Sequence, residues 1–139
     1  MFVGTFEHSL DDKGRVVLPS TFRSYVADRG FLSKLDGCLG LWTPEEFQTV
    51  ASLLRDRVRE GQVSQDALRV FAADAAEVRP DSQGRISIPQ RLREFGGLER
   101  DLIINGRLDR IEIWSVDRWT DVSSTADQNL ADAVADLGI

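Results

Sequence analysis

The sequence predicts an α+β chain made of two tandem units that share one core. Three observations predict it. The stretch DDKGRVVLPSTFR, residues 11–23, returns seventy residues later as DSQGRISIPQRLR, residues 81–93, with Asp, Gly, Arg, Pro and the final Arg in register. Short strand-like runs alternate with capped helical ones, whereas a doubly wound parallel sheet would want a longer crossover helix after each strand. The 139 residues suit one domain, while a unit of about 70 residues alone would hold only a marginal core.

Residues 3–10 alternate, with Phe2, Gly4, Phe6, His8 and Leu10 on one side and Val3, Thr5, Glu7 and Ser9 on the other, the period of a half-buried strand. DDKG supplies a turn and 15–18 a second strand, so the first eighteen residues read as a hairpin. Pro19 suits the first position of a helix that carries Phe22, Tyr25 and Val26 on one face and that Gly30 would end. Residues 38–42 form a compact apolar strand. It stops at TPEE, where Thr43 caps, Pro44 opens and Glu46 completes a capping box. The spacing of Phe47, Val50, Ala51, Leu54 and Val58 predicts a buried stripe on this helix, closed by Gly61.

Ser64 caps a further helix through Leu68, Phe71 and Ala72, and then the pattern restarts. Residues 76–79 and 85–88 read as strands around PDSQG, and Pro89 opens a short helix with Leu92 and Phe95. Strands at 101–105 and 110–114 follow, and Trp114-Ser115 begins a last helix much as Trp42-Thr43 did. The offset between the halves drifts only from seventy residues at the glycines to seventy-two at the tryptophans. Past Thr125 an acidic tail carries Leu130, Ala131, Val134 and Leu137 on one face, which suits either a docking helix or a frayed end.

Composition narrows the function. With one cysteine, Cys38, and one histidine, His8, neither a disulfide framework nor a Cys/His zinc cluster can form within the chain. This usage predicts a reducing compartment, and the N-terminus lacks both the basic and the apolar regions of a signal peptide, so the expected location is cytoplasmic. The formal charge of −6 argues at first against nucleic acid. Four aspartates and no Lys or Arg fall in 121–139, however, so the first 120 residues carry only −2 and can still present a basic face. No phosphate-binding glycine motif and no catalytic constellation occurs, and His8 on an apolar strand face reads as structural; the expectation is a protein that is not an enzyme and uses no cofactor or metal.

The two turns carry the chemistry. Asp11, Gly14, Asp81 and Gly84 are what a tight turn asks for: a carboxylate that bonds the backbone and a residue that tolerates positive φ. Arg15 and Arg85 are not explained so well, because a strand-opening position would accept Thr, Lys or Val as readily. Two guanidiniums in equivalent places present planar forks suited to phosphate or to the O6/N7 edge of guanine, and the aspartate four residues earlier could aim each one. Arg23, Arg91 and Arg93 flank the short helices. The run Arg55, Arg57, Arg59 reads as a solvated face, and Trp42, Trp114 and Trp119 as core packing.

The start FxGxFEHSLDxKGRVVLPSxFR, the second DSQGRISIPxxLR and the frame around GCLGLWTPEEF resemble the MraZ family of bacterial regulators over nearly the whole chain, the acidic tail excepted. The resemblance implies two tandem AbrB/MazE-like swapped-hairpin repeats forming one barrel with surrounding helices. They divide the chain into a first repeat at 1–60, a linking helix at 61–75, a second repeat at 76–122 and the tail at 123–139. It further implies a nucleoid-associated, ring-shaped homo-oligomer that binds double-stranded DNA at direct repeats in the promoter of its own operon, the division and cell-wall gene cluster, usually as a repressor. No membrane and no small-molecule substrate are implied. Carried over by motif, Lys13, Arg15 and Arg85 contact DNA, and Gln83 stands where the first turn has Lys13. The competing class is a protein-interaction module of the antitoxin type, which AbrB-like folds also serve.

Overall fold

The computed structural model describes residues 1–139. In chain order the elements are β1 (Thr5–Ser9), β2 (Arg15–Val17), α1 (Ser20–Arg23), a 3-10 turn (Ser24–Val26), β3 (Gly30–Lys34), β4 (Leu39–Trp42), α2 (Pro44–Arg59), α3 (Gln65–Asp74), β5 (Ala76–Val78), β6 (Arg85–Ser87), α4 (Gln90–Gly96), β7 (Asp101–Gly106), β8 (Ile111–Ser115) and α5 (Val116–Asp136). The α+β class is as expected. Six strands form an antiparallel sheet in the order β1-β7-β8-β4-β3-β5, and β2 pairs with β6 in a separate two-stranded ribbon.

The pairing corrects the expected hairpin. The turn after β1 closes, with the Asp11 amide bonded to the Arg15 carbonyl at 2.8 Å. The strands on either side of it then part. β1 runs against β7, with Phe6 opposite Ile104, and β2 runs against β6, with Val16 opposite Ile86. Likewise β5 pairs with β3, so each half supplies strands to the other. Exchanging β1 with β5, β3 with β7 and β4 with β8 turns the order of the large sheet into its own reverse.

A closed barrel does not form. β1 and β5 are the free edges of an open sheet, and the β2/β6 ribbon lies over one face instead of joining the edges. Strand alternation sends Leu32, Leu39, Leu41, Leu102, Ile104, Ile111 and Ile113 to that inner face, all 1% exposed or less. They meet Val16 and Ile86 of the ribbon, Phe22 of α1 and Leu92 of α4, which makes one core between two layers. Phe22 closes its end through edge-on contacts with Phe2 and Phe6 at 5.4 and 5.2 Å.

The outer face is covered only in part. Phe47 of α2 stacks on Phe31 at 4.7 Å and on Phe71 of α3 at 5.7 Å. The predicted α2 stripe is therefore half-buried at most: no residue of α2 is fully buried, because the helix lies over one end of the sheet with solvent beyond it. The caps are as read, with Thr43 Oγ1 accepting the Glu46 amide at 3.2 Å and Ser64 Oγ the Ala67 amide at 3.0 Å. Gly30 opens β3 instead of merely ending a helix, and β3 had no counterpart in the sequence reading. The acidic tail is helical: α5 starts at its Ser115 cap, seats Trp119 against Trp114 at 5.6 Å and continues to Asp136. No helix is long and apolar enough to cross a membrane.

Candidate nucleic-acid interface

The two turns are the same object built twice. Asp11 Oδ1 accepts the amides of Lys13 and Arg15, each at 2.9 Å, while Oδ2 accepts Arg15 Nε at 2.8 Å. Asp81 does the same for the amides of Gln83 and Arg85, each at 2.9 Å, and for Arg85 Nε at 2.7 Å. Gly14 and Gly84 take φ of 74° and 77°, the left-handed conformation in which a Cβ is strained. These donors hold both carboxyls below the usual carboxylate range, the backbone amide of Arg15 or Arg85 contributing most. Each aspartate thus engages its arginine through Nε, and the terminal nitrogens of the two guanidiniums have no hydrogen-bond partner of their own.

A second pair of arginines fixes the turns from the opposite half. The Arg23 guanidinium packs under Gly84, where an added Cβ would come within 2.3 Å of it, and donates to the Leu18 carbonyl at 2.8 Å. Arg93 packs under Gly14 and donates to the Ile88 carbonyl. The backbones are crossed as well: the Leu18 amide bonds the Gly84 carbonyl and the Ile88 amide the Gly14 carbonyl, both at 2.9 Å. Glycine is required at both turns by φ and by the neighbouring guanidinium together. Arg23 and Arg93 are accordingly positioning residues, half-buried and facing inward, and sequence reasoning had left them on a helix flank.

The ribbon orients the remaining groups. Val16 and Ile86, each 1% exposed, point into the core, so Arg15, Val17, Arg85 and Ser87 lie on the opposite, outward side. Arg15 is opposite Ser87 and Arg85 opposite Val17. The two arginines are therefore diagonal neighbours, with Cα atoms about 7–8 Å apart. Lys13 and Gln83 are exposed at the two turn tips, one at each end of the ribbon. A two-stranded β-ribbon is one of the two elements that the major groove of DNA admits.

The other candidates fall elsewhere. Arg91 reaches Asp74 at 3.1 Å, a carboxylate that Lys34 also holds at 2.7 Å. Arg57 donates to Gln62 and Arg59 pairs with Asp56, both on the exposed side of α2. Trp42 donates to Ser33 Oγ at 2.9 Å and Trp114 to Glu112 at 3.1 Å, so both indoles are satisfied packing groups. His8 lies on the inner side of β1, where burial first and the Arg23 charge second push its pKa below the ordinary value.

The chain matches the family model described as "MraZ protein, putative antitoxin-like" twice, at residues 1–69 and 71–137. It is similar to proteins named "Transcriptional regulator MraZ" from Acetivibrio thermocellus, at 41% identity, and from Syntrophomonas wolfei and Alkaliphilus metalliredigens, each at 38%, all aligned over the full length of both chains. Two family matches that together span nearly the whole chain and relatives aligned over their full length lead to one conclusion: this chain belongs to the MraZ family.

Proposed function

We propose that the chain is a sequence-specific DNA-binding transcriptional regulator, a repressor acting at direct repeats in the promoter of its own operon, the division and cell-wall gene cluster. The observation that carries the reading is the aimed pair of arginines: Arg15 and Arg85 are each held at Nε by an aspartate and share the outward face of one ribbon. Arg15 and Arg85 read base edges or phosphates, Lys13 adds a phosphate contact, and Gln83 offers a hydrogen bond without charge. The name borne by the relatives supports the same role.

The finer features follow as parts of this proposal. The chain is a tandem duplication divided at 1–60, 61–75, 76–122 and 123–139, supported by the reversible strand order and the double family match. It works as a ring-shaped homo-oligomer on nucleoid DNA in the cytoplasm, without catalysis, cofactor or small-molecule substrate. A ring sets many turn pairs along one surface, so a net charge of −6 per chain does not prevent tight binding.

Fluorescence anisotropy with DNA from upstream of the gene tests the proposal. Each well-placed arginine is worth about 1–3 kcal/mol, so Arg15→Ala should weaken binding at least tenfold while the protein stays folded at the assay temperature with an unchanged oligomer size. Arg85→Ala should do less, because Gln83 gives the second turn no charged companion. Affinity should also fall steeply between 50 and 200 mM salt. A folded Arg15→Ala protein that binds as tightly as the parent would overturn the proposal.

A further inference from the structure

The outer face of the sheet holds an apolar groove of about 430 Å³ between α2, α3 and β3, lined by Phe31, Phe47, Leu68 and Phe71, with Arg55 and Glu77 at its rim. The chain also carries an apolar stripe that it leaves uncovered. Along α5 and its C-cap residue Leu137, Trp119, Val122, Ala126, Leu130, Ala133 and Leu137 recur at intervals of three and four and so share one side. Only the start of the stripe is used, where Trp119 meets Trp114. Farther out, Leu130 is 62% and Leu137 73% exposed.

Charge separates the two surfaces. Beyond Arg118, α5 carries Asp121, Asp127, Asp132 and Asp136 and no cation, and at 100° per residue Asp127 and Asp136 flank the stripe on either side. Around the groove, Arg55 is free of any carboxylate, and Arg29 and Arg79 share the single carboxylate of Glu77 at 3.8 Å each. Three guanidiniums against one carboxylate make a basic rim for an acidic helix. No glycine or proline interrupts Val116–Asp136, and the helix runs as one continuous element away from Trp114 instead of folding back onto its own groove. At 21 residues it is about 31 Å long and can reach past the body that carries it.

We infer that the outer half of α5 docks in the α2/α3/β3 groove of a second copy of this chain, Leu130 and Leu137 entering between Leu68 and the phenylalanines while the aspartates face the basic rim. The two surfaces differ, so the contact is head-to-tail, and repetition closes a ring or extends a filament. The inference rests on the homo-oligomeric part of the proposed function and names the contact that would build it.

Cysteine cross-linking tests it on the full chain. Native Cys38 is 1% exposed and burial pushes its thiol up to about 12, so it stays silent. A chain carrying both Leu68→Cys and Leu130→Cys should give a ladder of disulfide-linked multimers on a non-reducing gel, and neither single variant should. Cross-linking by Leu130→Cys alone would show α5 paired with α5, and an intrachain disulfide would show self-docking; either result overturns the inference. In sedimentation, Leu130→Asp with Leu137→Asp should weaken assembly at least tenfold with an unchanged circular dichroism spectrum. If the parent protein is a monomer at all concentrations, the oligomeric reading itself fails. If the parent is an oligomer that the double aspartate variant leaves intact, only this contact is wrong.

Discussion

Gly84 and Gly61 have nearly the same backbone conformation, φ of 77° and 74°, in different surroundings. A Cβ at Gly61 would meet nothing within 4 Å, whereas at Gly84 it would displace the Arg23 guanidinium. Gly61→Ala should therefore cost only the left-handed backbone term, about 1–2 kcal/mol. Gly84→Ala should cost that plus the brace between Arg23 and the Leu18 carbonyl. Urea denaturation of the two variants checks the order, and equal losses would show that the brace does not matter. Glycine and aspartate at the turns were legible in the sequence because the local backbone demands them. The service of Arg23 and Arg93 was not, since each supports a turn some sixty to eighty residues away and no local pattern marks that distance.

At the scale of the element, each turn is a carboxylate clamp whose strength depends on ionisation. The folded-state pKa of Asp11 and of Asp81 lies below the ordinary value of 3.8, so protonation favours the unfolded chain. The stabilisation is complete above that ordinary value and disappears as pH falls through the lower, folded values. Melting temperatures between pH 6 and pH 2.5 should show this as a steeper acid loss in the parent than in an Asp11→Asn, Asp81→Asn double variant. Helix caps at Thr43, Ser64 and Ser115 were readable because a cap is a local bond. β3 was not: GFLSK begins with a glycine that resembles a helix stop, and its strand character comes from pairing with β4 and β5. The hairpin reading of β1 and β2 failed for a related reason. A turn fixes the direction of two strands but does not choose their partners.

For the whole molecule, the exchange of strands makes the halves interdependent. β1 without β7, β2 without β6 and β5 without β3 would each lose the only neighbour in its sheet. A chain of residues 1–69 alone should yield no folded monomer, either staying unfolded or pairing with a second copy. Sedimentation combined with circular dichroism checks this, and a folded monomeric half would contradict it. The shared core was legible from length, since half the chain is too short for a core of its own. The open sheet was not, because closure depends on whether β1 and β5 meet, and nothing in either strand encodes that separation.

The crossed arginines also tie the shape of the turns to the order of synthesis. When the ribosome has made the first turn, the guanidinium that belongs under Gly14 is still seventy-nine residues from being added, as Arg93. β6, which holds β2, is completed only shortly before Arg93, and β7, which holds β1, comes after it. A product truncated before Arg93 therefore has the residues of the first turn but lacks the guanidinium that packs under it.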